Sequence, residues 1–87
     1  MMAYQINSDR ILFTQLGDEG VVFDTQKNEY LSLNETFFKI LKGVEMGKSQ
    51  TEIVADLCKE YEIDEAKCQQ EVANVLLQLQ EKEYIQQ

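Results

Sequence analysis

With 87 residues, 44% of them hydrophobic and 28% charged, the chain has the make-up of one small globular domain rather than a disordered segment. Eight Lys plus Arg against sixteen Asp plus Glu leave a net charge of −8, which repels nucleic-acid phosphates and anionic bilayers and favours a neutral or basic partner. Histidine is absent, no apolar run approaches the ~18 residues of a membrane span, and no basic-then-apolar signal opens the chain, so a cytoplasmic, membrane-free domain is expected.

In chain order, Met1–Ser8 reads as a loose arm. Ile11–Leu16 is a first strand, closed by Gly17-Asp18-Glu19-Gly20, and Val21–Asp24 is a second. Gln26-Lys27-Asn28-Glu29 is the turn that follows, with Asn28 the residue best able to adopt a left-handed conformation. Tyr30–Leu33 is a third strand, which puts Leu31 and Leu33 on one face and Tyr30 and Ser32 on the other. Asn34 then caps a first helix through Val44, in which Phe37, Ile40, Leu41 and Val44 repeat as a core stripe. Gly43 and Gly47 mark its frayed end.

Ser49-Gln50-Thr51-Glu52 has the form of a capping box and opens a second helix to about Tyr61. Val54, Leu57, Cys58 and Tyr61 make its expected inner face, opposite the acidic ridge of Glu52, Asp56 and Glu60. Asp64 caps a third helix to about Lys82. Cys68, Val72, Val75, Leu76 and Leu79 form its main stripe, and Ala66, Ala73 and Leu77 widen the apolar arc to roughly 200°, where a surface helix needs only ~100°. The surplus fits either a central helix or one wall of a groove. Three strands followed by three helices make an α+β domain of winged-helix-like proportions.

Catalysis by this chain is unsupported. Its serines have no histidine to activate them, and the carboxylates lie mainly on helix surfaces. Cys58 and Cys68 lack the further ligands a zinc site needs and read as free buried thiols, so no metal or cofactor is expected. A nucleic-acid-reading helix is equally unsupported, since Glu52–Glu71 carries seven acidic residues against Lys59 and Lys67. An acyl-carrier role fails because Ser49 lies in Lys48-Ser49-Gln50 and three strands precede the helices. The remaining class is a peptide-binding module. Tyr30–Leu33 has no Pro, Lys or internal charge to block pairing, and such a strand is either covered by the rest of the fold or kept open to accept another as an addition to the sheet. The same bare edge allows self-pairing into a homodimer.

The order Val21-Val22-Phe23-Asp24, Glu29-Tyr30-Leu31-Ser32-Leu33-Asn34-Glu35 and the Ile40-Leu41 helix resembles the PqqD-like family. So do Lys48–Val54 and Glu71–Leu79 followed by Tyr84-Ile85, over about residues 10 to 86. The resemblance implies a recognition element for ribosomally made precursor peptides, with a winged helix-turn-helix-like fold of a three-stranded antiparallel sheet and three helices. Such domains bind a precursor's leader segment beside the third strand and deliver it to a maturation enzyme. Carried over here, the acceptor strand is Glu29, Tyr30, Leu31, Ser32 and Leu33, and the helix wall comes from Cys68, Glu71, Val72, Val75, Leu76 and Leu79. A free-standing chain of this size is similar both to members that serve a radical SAM enzyme and to those of lasso-peptide clusters, which serve a leader peptidase. Its third strand and short length lean towards a lasso-type or general PqqD-like protein. Glu83 stands where the family pattern usually has Gly near the end of the last helix. The alternative from another class is an acidic winged-helix domain for protein interaction or transcriptional regulation.

Overall fold

A computed structural model describes residues 3–17 and 19–87; Met1 and Met2 of the expected arm, and Asp18 of the first turn, lie outside them. Eight elements follow in order: β1 (Gln5–Ile6), β2 (Ile11–Leu16), β3 (Glu19–Asp24), β4 (Glu29–Leu33), α1 (Glu35–Glu45), α2 (Gln50–Tyr61), α3 (Glu65–Glu81) and β5 (Ile85–Gln86). The expected three-strand, three-helix α+β plan is the one observed, with β2, β3 and β4 antiparallel in that order.

The local chemistry explains where the elements start and stop. Asn28 adopts φ 56° and turns the chain between β3 and β4, as its tolerance of the left-handed region predicts. The Asn34 side chain accepts a hydrogen bond from the Phe37 N–H at 2.8 Å and starts α1. Ser49 and Glu52 make both bonds of a capping box at α2, and Asp64 accepts from the Lys67 N–H at α3.

Alternation along the sheet separates two faces. Ile11, Phe13, Val22, Leu31 and Leu33 turn inward and meet Ile40, Leu41, Val44, Val54, Leu57, Val72, Val75, Leu76 and Leu79 from the three helices. Leu12, Phe23 and Tyr30 form a cross-strand row on the outer face, with Leu12 and Tyr30 exposed.

Several expectations need correction. The arm is not loose throughout: Gln5–Ile6 pairs antiparallel with Ile85–Gln86, and Asn7 donates from its backbone N–H to the Tyr84 carbonyl. Tyr4 and Ile6 pack against the core, so burial of apolar surface holds this segment down. On α2, Ile53 is buried, whereas Cys58 is half-buried and Tyr61 exposed; the inward face is rotated from the expected one. Gly47 does end α1, with φ +80°, but Gly43 lies inside the helix. A Cβ on Gly43 would sit 2.8 Å from Ile53 Cγ1, so its missing side chain allows α1 and α2 to approach closely.

A polar cluster links the sheet to the end of the chain. Asp24 is fully buried; its carboxylate accepts from Arg10 Nε at 3.0 Å, from the Tyr84 hydroxyl at 3.1 Å, and from the amides of Gln26 and Lys27. Burial alone would raise the Asp24 pKa, but these donors, Arg10 foremost, outweigh it and hold the carboxyl at about 2, below its ordinary 3.8. A carboxyl depressed by folding stabilises above its unfolded pKa and loses that contribution as pH falls through its folded value. Asp24→Asn should therefore melt below the unsubstituted protein at neutral pH. In melts across pH, the gap should narrow from the ordinary carboxyl value towards about 2.

Candidate peptide-binding groove

The register of the sheet decides which backbone groups β4 has to spare. The Thr25 N–H donates to the Arg10 carbonyl at 2.8 Å, which makes Arg10 and Thr25 a hydrogen-bonded pair. Antiparallel pairing alternates, so Phe23 and Val21 point their amides and carbonyls at β2, while Asp24, Val22 and Gly20 point theirs at β4. Their partners Glu29, Leu31 and Leu33 are therefore bonded into the sheet. Tyr30 and Ser32 turn both N–H and C=O towards the open edge, because no described strand lies beyond β4.

Beside that edge lies a chamber of about 290 Å³. Leu31, Leu33, Phe37, Leu79 and Tyr84 give it apolar walls, and Ser32, Asn34, Gln78 and Lys82 supply polar groups. A second hollow of about 330 Å³ lies further towards the start of α3, between Thr36, Leu57, Tyr61, Ile63, Lys67, Cys68 and Glu71. Larger hollows exist, one of about 520 Å³ beside Cys58, but none of the residues around that one comes from β4.

The residues expected in the site divide clearly. Glu29, Tyr30, Leu31, Ser32 and Leu33 form the edge strand, with Leu31 and Leu33 half-buried and leaning into the chamber. Tyr30 supplies its backbone to the edge, while its ring lies on the outer face, 4.7 Å from the Phe23 ring centroid. On α3, Leu79 and Cys68 touch the two hollows, and Glu71 stands exposed on the second. Val72, Val75 and Leu76 are packed in the core, at 0%, 3% and 1% exposure. Burial raises the Cys68 thiol to about 11, with further upward pressure from nearby Cys58. Both thiols are free, with Cys58 only half-buried.

The outer flank of the α3 arc needs a different reading. Ala66, Ala73 and Leu77 all face solvent, and at 100° per residue they project well away from the groove. The row nearest the groove is instead Lys67, Glu71, Asn74, Gln78 and Lys82, spaced i, i+4, i+7, i+11 and i+15. Four of these five line the two hollows. Hydrophobic patterning passes over such a row, and so it passes over Gln78 and Lys82; the N-cap Asn34 and the core-stripe Phe37 carried no separate mark as groove residues. Glu83 takes φ 64° just beyond α3, while its carboxylate meets Arg10. The left-handed turn that favours glycine is thus kept with a glutamate in place.

Among the described residues no group of three or more His, Cys, Asp and Glu is placed to hold a metal ion, and no helix is long and apolar enough to cross a membrane.

The model of the family described as Coenzyme PQQ synthesis protein D (PqqD) matches residues 19–85, from β3 through the first residue of β5. A comparison with curated proteins finds no match. Among solved structures, the chain is similar to TbiB1 in complex with the TbiA(beta) leader peptide, at 28% identity and TM-score 0.85 over 94% of each chain. It is also similar in fold to a lasso peptide synthetase B1 complexed with the leader peptide, at 23% identity and TM-score 0.84 over 97% of this chain and 98% of that one. An open β4 edge, a chamber shared with α3 and a family match over most of the length lead to one conclusion: the chain belongs to the PqqD family.

Proposed function

We propose that this protein is a non-catalytic adaptor that captures the leader segment of a ribosomally made precursor peptide and presents it to a maturation enzyme. The observation that carries this reading is the pair of outward backbone positions, Tyr30 and Ser32, beside the β4–α3 chamber. An extended leader adds to that edge as a further strand, and its side chains facing the chamber meet Leu31, Leu33, Phe37 and Leu79. The leader peptide held by TbiB1, a similar structure, supports the assignment.

Within this reading, the Tyr30 and Ser32 backbone supplies the strand contacts, while Leu79, Glu71 and Cys68 belong to the wall. Val72, Val75 and Leu76 support that wall from beneath. Binding raises the concentration of the precursor near the enzyme, a leader peptidase or a radical SAM enzyme, without this chain taking part in the chemistry. In the free protein the same edge is open to a second copy, so peptide and self-pairing compete.

Titration with the leader of a precursor encoded near the gene, followed by amide shifts, tests the site. The largest shifts are expected at Tyr30–Leu33, Gln78 and Lys82. Shifts confined to the outer sheet face, or to the α1–α2 side, would overturn the assignment.

A further inference from the structure

The charges around the groove differ from those of the whole chain. Of its eight basic residues, Arg10, Lys39, Lys42 and Lys48 are ion-paired: Arg10 with Asp24 and Glu83, Lys39 with Glu60, Lys42 with Glu45, and Lys48 with Asp56. Lys27, Lys59, Lys67 and Lys82 have no carboxylate within 4.0 Å among the described residues. Two of these four, Lys67 and Lys82, line the hollows along α3. In the hollow at Lys67, Glu71 stands close by and offsets the charge. In the β4–α3 chamber, Lys82 is the sole charged residue lining the walls.

From this we infer that Lys82 is a specificity-determining residue, and that the groove selects a peptide carrying a carboxylate. The inference rests on the leader-binding reading and runs against the net charge of −8, which taken alone favours a neutral or basic partner. Net charge acts at long range and is screened beyond about 10 Å at 0.1 M salt, whereas a side chain lying in the chamber meets Lys82 directly. The Lys82 ammonium is 5.9 Å from the centroid of the Tyr84 ring, which places it over one wall of that chamber. The apolar walls take a bulky side chain of the peptide. In an extended strand the side chain two residues away points to the same side, so Asp or Glu at that spacing is the favoured neighbour.

Lys82 also caps α3, and a cation at a helix C-terminus stabilises the helix dipole. That structural role predicts no preference among peptides, which separates the two readings. The full-length protein would be used to select binders from a displayed library of random short peptides, and the selection repeated with Lys82→Glu and with Ser32→Pro. Enrichment of Asp or Glu two positions from an apolar residue, changing to Lys or Arg with Lys82→Glu, is the expected result. For a synthetic copy of the best binder, Lys82→Gln should weaken binding about two- to fivefold, and replacing the peptide's acid by its amide should then cost nothing further. Selected peptides that disappear with Ser32→Pro yet carry no acidic preference would overturn the role of Lys82 and leave the leader-binding site standing. A library giving no binders at all, or binders unaffected by Ser32→Pro, overturns both readings.

Discussion

Replacing Ser32 by proline should weaken leader binding about tenfold or more while the domain remains folded. Ser32 gives nothing to β3 from its backbone, so losing its N–H breaks no sheet hydrogen bond. The proline ring instead projects towards the incoming strand and removes one of the two outward donors. Leu31→Pro is the contrasting variant, because the Leu31 N–H is bonded to Val22 within the sheet. It should lower the melting temperature strongly, whereas Ser32→Pro should not. Measuring binding by calorimetry and folding by circular dichroism on both variants checks this. Full affinity in a folded Ser32→Pro protein would remove β4 from the site.

The core of α3 gives the second large effect. Leu76→Ala should cost about 2–5 kcal/mol, because a side chain at 1% exposure leaves a cavity that its neighbours only partly fill. In a domain of this size that is a fall in melting temperature of about 10–30 °C. Leu77→Ala, one residue on but 55% exposed, should change stability by no more than about 0.5 kcal/mol. Chemical denaturation of the two variants checks the difference. Equal losses would mean that the inward face of α3 is not the one described.

These two leucines show how far the sequence carries the fold. Cys68, Val72, Val75, Leu76 and Leu79 form a helical stripe, and all five are buried, because the stripe is the face α3 turns to α1, α2 and β5. Ala66, Ala73 and Leu77 are just as apolar in the alphabet, yet stay outside, since periodicity records polarity and not the position of the neighbouring helix. The strands and caps were legible for a local reason: Asn28, Asn34, Ser49 and Asp64 act on backbone groups within a few residues.

Contacts between distant parts of the chain were not legible. The β1–β5 pairing joins residues 5–6 to residues 85–86, and each segment alone is too short to read as a strand. Asp24, Arg10 and Tyr84 are ordinary residues in a linear reading; only the fold brings them within hydrogen-bond distance. The groove divides in the same way. Its strand was readable from the absence of blocking residues in Tyr30–Leu33, but its polar wall of Gln78 and Lys82 depends on how α3 is rotated against β4.

The shortness of the open edge bears on how long a captured peptide stays. Two outward residues provide two donors and two acceptors. At about 1 kcal/mol net for each hydrogen bond, the strand contacts alone give a dissociation constant of about millimolar at best, before the entropy cost of association weakens it further. Tighter holding must come from side chains seated in the neighbouring chamber, and peptides that match it differ mainly in how slowly they leave. A longer ladder would add affinity for any extended chain, whatever its sequence. On the proposed leader-binding reading, so few backbone bonds let a wrong peptide depart quickly and leave a matched one releasable.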